Sequence, residues 1–195
     1  LMVDNKDNSK LGTSRTSQTN VTSAEQIMPT EQNKYDDVTD EYLALFPSTL
    51  RACLIDNIDR RRNFAKKIVR EYENLTVYRA VKYSDKILST DFLGNAEKYY
   101  LEGKEYSPRW ARKFENHSVS VNESVDELIE NTNFPNSHIT GIAKGYMKCK
   151  YGPADFTPDE THHNWYLFDG ANEKVCKEFV IDEEITKKAT EAKKA

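Results

Sequence analysis

One short segment, ENLTVYRAVKYSD at residues 73–85, carries an arginine inside an apolar alternation. Residues 76–82 alternate as a strand does, so Val77, Arg79 and Val81 are expected on one face of it. A charge flanked by valines should be partly buried, and a buried charge needs a partner. The segment therefore predicts either an ion pair or an anion-binding site.

Two kinds of partner for Arg79 are open. One is a carboxylate, such as Glu71, Asp85 or an acid farther along the chain. The other is a ligand phosphate, whose oxygens match the planar fork of a guanidinium. In the first case Arg79 is structural, and in the second it lines a cleft without a carboxylate of its own.

A second polar pair lies in HSVSV, residues 117–121, which also reads as a strand. Ser118 and Ser120 share one face of that strand. A helix is expected to follow directly, with Asn122 as its cap. The two hydroxyls either face solvent at a sheet edge or contribute to the site of Arg79.

Taken together, VYRAV and HSVSVNESVDEL resemble the first two motifs of the Arg-Ser-Glu class of ADP-ribosyltransferases. The resemblance implies N-terminal helices ahead of the first strand and NAD as the cofactor. It implies that Arg79 grips the NAD phosphates and that Ser118 and Ser120 support the nicotinamide side. His163, on a later strand, becomes a further candidate contact for the cofactor.

The third motif of that family, Glu-x-Glu, is missing before WYLF, and Ala80 replaces the glycine that usually follows the arginine. The candidate carboxylates are Glu160, a few residues earlier, and Glu178, on the following segment. Neither carboxylate lies at the position that the family motif requires. The sequence therefore favours a protein-interaction or accessory domain with a protein partner. The alternative is an NAD-binding enzyme of this class, or its inactive relative.

The composition excludes some other functions. A net charge of −4 argues against nucleic-acid binding by bulk charge. No apolar run approaches the roughly 20 residues that span a bilayer, and no signal peptide is visible, so we expect a cytoplasmic protein without a membrane segment. Three widely spaced cysteines predict free thiols and no metal site. The high Lys, Asn, Tyr and Glu content is typical of a low-GC microbe or its phage.

The chain divides into a polar tail and one domain. Residues 1–36 contain too few core-forming side chains to offset the entropy of ordering, so a disordered or extended tail is expected. Residues 37–195 form the predicted α+β domain. Its N-terminal helices precede a mostly antiparallel sheet of about five strands, which ends in a hairpin and a C-terminal helix. The expected helices are 37–46, 48–74, one after 122 and one after Asp182, and the expected strands are 76–82, 117–121, 138–149, 161–168 and 174–181.

The strand at 161–168 has apolar side chains on both faces, which predicts a central position in the sheet. Trp165 is expected in the core. His163 is expected to be a core or rim histidine more readily than a catalytic base. The dipeptide Asp169-Gly170 then predicts a tight turn into the return strand.

Overall fold

The computed structural model describes residues 38–157 and 160–194. The predicted tail at 1–36 lies outside the described residues. Within them the chain is α+β, with eight α-helices and an antiparallel sheet of seven strands, which confirms the predicted class. The C-terminal helix is also present, and Asp182 caps it by accepting a hydrogen bond from the amide of Ile185.

The elements follow one another with short connections. The helices are α1 Asp40–Leu43, α2 Ser48–Ile55, α3 Ile58–Lys67, α4 Asn95–Leu101, α5 Pro108–Ala111, α6 Val125–Thr132, α7 Asn172–Glu178 and α8 Glu183–Ala192. The strands are β1 Ile68–Val69, β2 Leu75–Val81, β3 Val119–Asn122, β4 Gly141–Met147, β5 Ala154–Phe156, β6 His162–Trp165 and β7 Val180–Ile181. In the described part of the chain, 3₁₀ turns lie at Ser89–Phe92, Phe114–His117 and Cys149–Tyr151.

The strands lie in the order β1-β5-β6-β3-β2-β4-β7. Strands β2 and β4 pair along seven residues, whereas the register of β2 with β3 contains the single pair Tyr78–Asn122. The sheet is therefore continuous between β2 and β4 and opens between β2 and β3. The predicted central position of the 161–168 strand is confirmed, since β6 lies between β5 and β3.

Three apolar clusters hold the fold together. The first packs against one face of the sheet around Val77, Val81 and Trp165, as the alternation of β2 predicts. The second packs the N-terminal helices against Tyr166, and the third packs α6 and α8 against the other face of β2 and β4. Both faces of the sheet are thus covered by other elements.

The predicted C-terminal hairpin is wrong. Residues 172–178 form α7, and β7 pairs with β4 instead of returning along β6. Val175 and Phe179, both buried, are four residues apart, which is the spacing of a helix face rather than of a strand. Gly170 does adopt the left-handed conformation of a turn, with φ of 72°, but the turn leads into a helix.

Two boundaries also differ from prediction. The expected helix at 48–74 is two helices, because Asn57 starts α3 by accepting a hydrogen bond from the amide of Arg60. The expected cap Asn122 is the last residue of β3, and Ser124 caps α6 instead. Between the expected strands at 138–149 and 161–168, residues 154–156 form the additional short strand β5.

No helix in the described ranges is long and apolar enough to cross a bilayer.

Truncation of Trp165 should test the core directly. Its side chain is fully buried, and Trp165→Ala is expected to lower the free energy of unfolding by about 3–5 kcal/mol. The matched control is Trp110→Ala, because Trp110 is 49% exposed and should cost less than about 1 kcal/mol. Urea unfolding measures both, and equal losses for the two variants would contradict this packing.

Candidate functional site

The opening between β2 and β3 is filled by the side chain of Arg79. Its Nε donates a hydrogen bond to the main-chain carbonyl of Asp91, at 2.9 Å. One terminal nitrogen, NH1, donates to the main-chain carbonyl of Ser120. The guanidinium therefore bridges the strand β3 and the 3₁₀ turn Ser89–Phe92, and both of its acceptors are uncharged.

No carboxylate within the described residues forms an ion pair with Arg79, and the expected candidates Glu71 and Asp85 do not contact it. The carboxylate of Asp91 acts on Arg79 through its charge, but its hydrogen bonds come from the amides of Lys82 and Leu88. Burial lowers the pKa of Arg79 to about 10, and the charge of Asp91 acts in the opposite direction. Arg79 thus stays a cation at neutral pH without a direct counter-ion.

A cleft of about 750 Å³ opens beside Arg79, a size suited to a small-molecule ligand. Strands β2 and β3 form its floor, α4 one wall, and α6 with the segment 137–139 another. The polar and charged side chains around it are Arg79, Lys82, Thr90, Asp91, Asn95, Lys98, Tyr99, Glu102, Ser120, Thr132, Ser137 and His138.

Ser120 lines this cleft, and its hydroxyl is hydrogen-bonded to Nε2 of His162 on β6. Burial lowers the pKa of His162, and the neighbouring His163 and Arg79 lower it further. A neutral imidazole is therefore expected at His162, with one ring nitrogen, Nε2, in the hydrogen bond to the Ser120 hydroxyl. The antiparallel pairing of β3 with β6 brings this pair together.

Ser118 has a different environment. It is buried, its hydroxyl lies 2.7 Å from the carbonyl oxygen of Glu115 and 2.8 Å from Oδ1 of Asn164, and it does not line the cleft. Its contacts tie the turn before β3 to β6. The two serines, which the sequence assigned alike, are thus separated: Ser120 faces the cleft and Ser118 belongs to the framework.

Lys98 brings a second cation to the cleft from α4. Within the described residues its ammonium has no hydrogen bond and no ion pair, although the side chain is only partly exposed. The pKa of Lys98 is lowered to about 8, mainly by burial and secondly by the charge of Arg79. The charges of Asp91 and Glu102 act in the opposite direction.

The preceding residue, Glu97, anchors α4 on its other side. Its Oε1 lies 3.2 Å from Nδ1 of the buried His117 and also accepts a hydrogen bond from Thr49. Burial works against protonation of His117, but hydrogen bonds to Cys53, Glu97 and the carbonyl of Ala111 outweigh it and raise the pKa of His117 to about 9. This buried ion pair holds the helix that carries Lys98.

The remaining candidates from the sequence lie apart from Arg79. Glu178, at the end of α7, is bonded to Lys148 and Tyr151, and these bonds lower its pKa to about 2. His163 projects to the opposite face of β6 from His162, where its Nε2 lies 2.7 Å from Oε1 of Glu123. Glu160 is exposed. None of these three lines the cleft.

The three cysteines, Cys53, Cys149 and Cys176, are free thiols as expected. The described residues hold no group of three or more His, Cys, Asp or Glu side chains arranged to bind a metal ion.

Sequence reasoning missed Lys98, Asp91 and His162. The first two lie in the polar stretch 83–115, whose unusual length indicates function without indicating a residue. Its short helix α4 carries apolar side chains at too few positions to stand out as periodic. His162, which does not line the cleft but is hydrogen-bonded to Ser120, was overlooked in favour of its neighbour His163, because the pairing of β6 with β3 decides which of the two histidines meets Ser120.

Comparison of the chain with protein-family models, with curated proteins and with solved structures finds no match.

The framework role of Ser118 can be tested. Ser118→Ala removes the hydroxyl whose single proton serves either the carbonyl oxygen of Glu115 or Oδ1 of Asn164, and should lower the free energy of unfolding by about 1–2 kcal/mol. Ser107→Ala is the control, since Ser107 is exposed and makes no capping bond with its side chain. Urea unfolding of both variants measures the effect, and a loss no larger than that of the control would contradict the assignment.

The buried Glu97–His117 pair should make stability depend on pH. Because the pKa of His117 rises from 6.5 to about 9 on folding, its contribution is complete below about pH 6.5 and disappears as the pH rises through 9. The difference in unfolding free energy between the wild type and His117→Gln should therefore shrink over that range. The exposed His138 supplies the control variant His138→Gln, and a difference independent of pH would exclude a protonated His117.

Proposed function

We propose that the chain binds a phosphate-bearing nucleotide in the cleft between β2, β3 and α4, with NAD as the first candidate. One observation carries the proposal. Arg79 is a cation held inside the opening of the sheet, oriented by two main-chain carbonyls and paired with no carboxylate of the described residues. A phosphate is the natural counter-ion for a guanidinium fork held in this way.

The choice of NAD rests on the resemblance of VYRAV and HSVSVNESVDEL to the Arg-Ser-Glu class of ADP-ribosyltransferases. One contact and the character of the cleft support it. Arg79 and Ser120, which the resemblance assigns to one NAD site, are joined through the hydrogen bond from NH1 to the Ser120 carbonyl. The cleft beside them has room for a small-molecule ligand and is lined by hydroxyls and cations, and its two carboxylates, Asp91 and Glu102, are engaged by backbone amides and by Lys104.

The proposal concerns binding rather than ribosyl transfer. Stabilising a ribosyl cation takes a negative charge aimed at the reacting carbon. Next to Ser120 stands the imidazole of His162, which cannot supply that charge. We therefore assign the chain as a nucleotide-binding relative of the class without the usual catalytic carboxylate. The protein partner expected from the sequence stays a prediction.

The test is isothermal titration of NAD into the wild type and Arg79→Lys. The variant keeps the charge and loses the fork, so its affinity should fall about tenfold or more, the effect of losing one charge-assisted hydrogen bond. Because the variant also loses hydrogen bonds to the main-chain carbonyls of Asp91 and Ser120, its melting temperature should fall by a few degrees, and the titration is carried out well below that temperature. Arg109→Lys, at an exposed position of α5, controls for the substitution itself.

Two results would count against the proposal. If the wild type gives no binding heat with NAD and Arg79→Lys is strongly destabilised, Arg79 is a structural residue. If Arg79→Lys and Arg109→Lys bind NAD equally well, the ligand lies elsewhere.

A further inference from the structure

Lys98 has the features of a ligand-binding residue in its own right. A lysine near the protein surface normally extends its ammonium into water or toward a carboxylate. Lys98 instead points its side chain into the cleft, and within the described residues its ammonium meets no hydrogen-bond acceptor. Its orientation is set by α4, which the Glu97–His117 pair fixes from the other side.

Arg79 and Lys98 are close enough to repel one another, since the charge of Arg79 lowers the pKa of Lys98. The two acids nearest to them are engaged elsewhere. The carboxylate of Asp91 accepts hydrogen bonds from two backbone amides, and that of Glu102 forms an ion pair with Lys104 at 2.6 Å. Two like charges therefore share a partly desolvated cleft without a direct counter-ion, and a ligand with two negative charges would relieve both.

We propose that Lys98 forms a second anion subsite beside Arg79, so that the cleft selects ligands that carry a diphosphate over ligands with a single phosphate. This inference rests on the proposed nucleotide binding and narrows its ligand class. The guanidinium donors of Arg79 that the two carbonyls leave free would bind one phosphate, and the ammonium of Lys98 would bind the next as a point charge. A dinucleotide, a nucleoside diphosphate and inorganic pyrophosphate share this chemistry.

Isothermal titration with matched pairs of ligands distinguishes these three ligand classes. Pyrophosphate is compared with phosphate, ADP with AMP, and NAD is measured alongside. In the wild type each diphosphate should bind about tenfold or more tightly than its single-phosphate counterpart, as one added charge-assisted hydrogen bond implies. Binding of pyrophosphate without NAD would support the diphosphate subsite and remove NAD as the ligand.

Lys98→Met should abolish most of this preference, with a loss of about tenfold for pyrophosphate and less than about threefold for phosphate. Lys98→Arg keeps the charge and should retain the preference, and the nearly unchanged binding of phosphate by Lys98→Met shows that this variant is folded. Lys187→Met, at an exposed position of α8, is the control. Arg79→Lys should instead weaken both ligands.

The pH dependence gives an independent readout. The ammonium of Lys98 loses its proton as the pH rises through about 8, so the affinity for NAD, whose pyrophosphate stays doubly ionised, should fall between about pH 7 and 9. The same titration of Lys98→Met should be flat. The other titratable and charged groups that face this part of the cleft are Arg79, Lys82, Asp91, Tyr99, Glu102 and His138.

Different results would contradict the second anion subsite and the proposed nucleotide binding. If NAD binds the wild type and Arg79→Lys weakens it, while Lys98→Met behaves as Lys187→Met does, the second subsite is wrong and the proposed function stands. If neither NAD nor pyrophosphate binds the wild type, both fail together.

Discussion

The structure of the cleft depends on the opening between β2 and β3 and on the guanidinium of Arg79 that bridges it. Two neighbouring strands that share one residue pair leave main-chain carbonyls without partners, and such groups are costly to bury unpaired. Arg79 satisfies the carbonyls of Ser120 and Asp91. These carbonyls orient the side chain without neutralising its charge. Arg79 therefore stabilises the sheet through its hydrogen bonds and still offers a positive charge to a ligand.

The surrounding elements preserve that charge. The carboxylate of Asp91 caps the 3₁₀ turn through backbone amides, which keeps it near Arg79 but out of direct contact. Successive residues of a helix point about 100° apart, so Glu97 and Lys98 face different sides of α4. The contact between Glu97 and the buried His117 fixes which side of α4 faces the protein interior. Lys98, on a different side of the helix, consequently lines the cleft. One short helix thereby couples a buried ion pair to an exposed binding surface.

Part of the site could be predicted because strand alternation is a local property. The sequence identified Arg79 as unusual and grouped it with the serines of the next strand. It could not decide between Ser118 and Ser120, since the strand β3 begins between them and only pairing with β6 fixes which hydroxyl meets His162. It could not detect Lys98, because a lysine in a polar stretch looks the same whether its ammonium is solvated or enclosed.

The sequence by itself determined the fold class, the faces of β2, the core position of Trp165 and the cap of the last helix, because alternation, apolar side chains and capping residues act over a few positions. The tertiary structure decided the rest. Residues 174–181 have enough apolar side chains for a strand or a helix, and packing of Val175 and Phe179 into the core selected α7. The partners of Arg79 were decided in the same way. Glu71 and Asp85 are near it in sequence, but its side chain bonds to the carbonyls of Asp91 and Ser120, which only the assembled sheet brings to it.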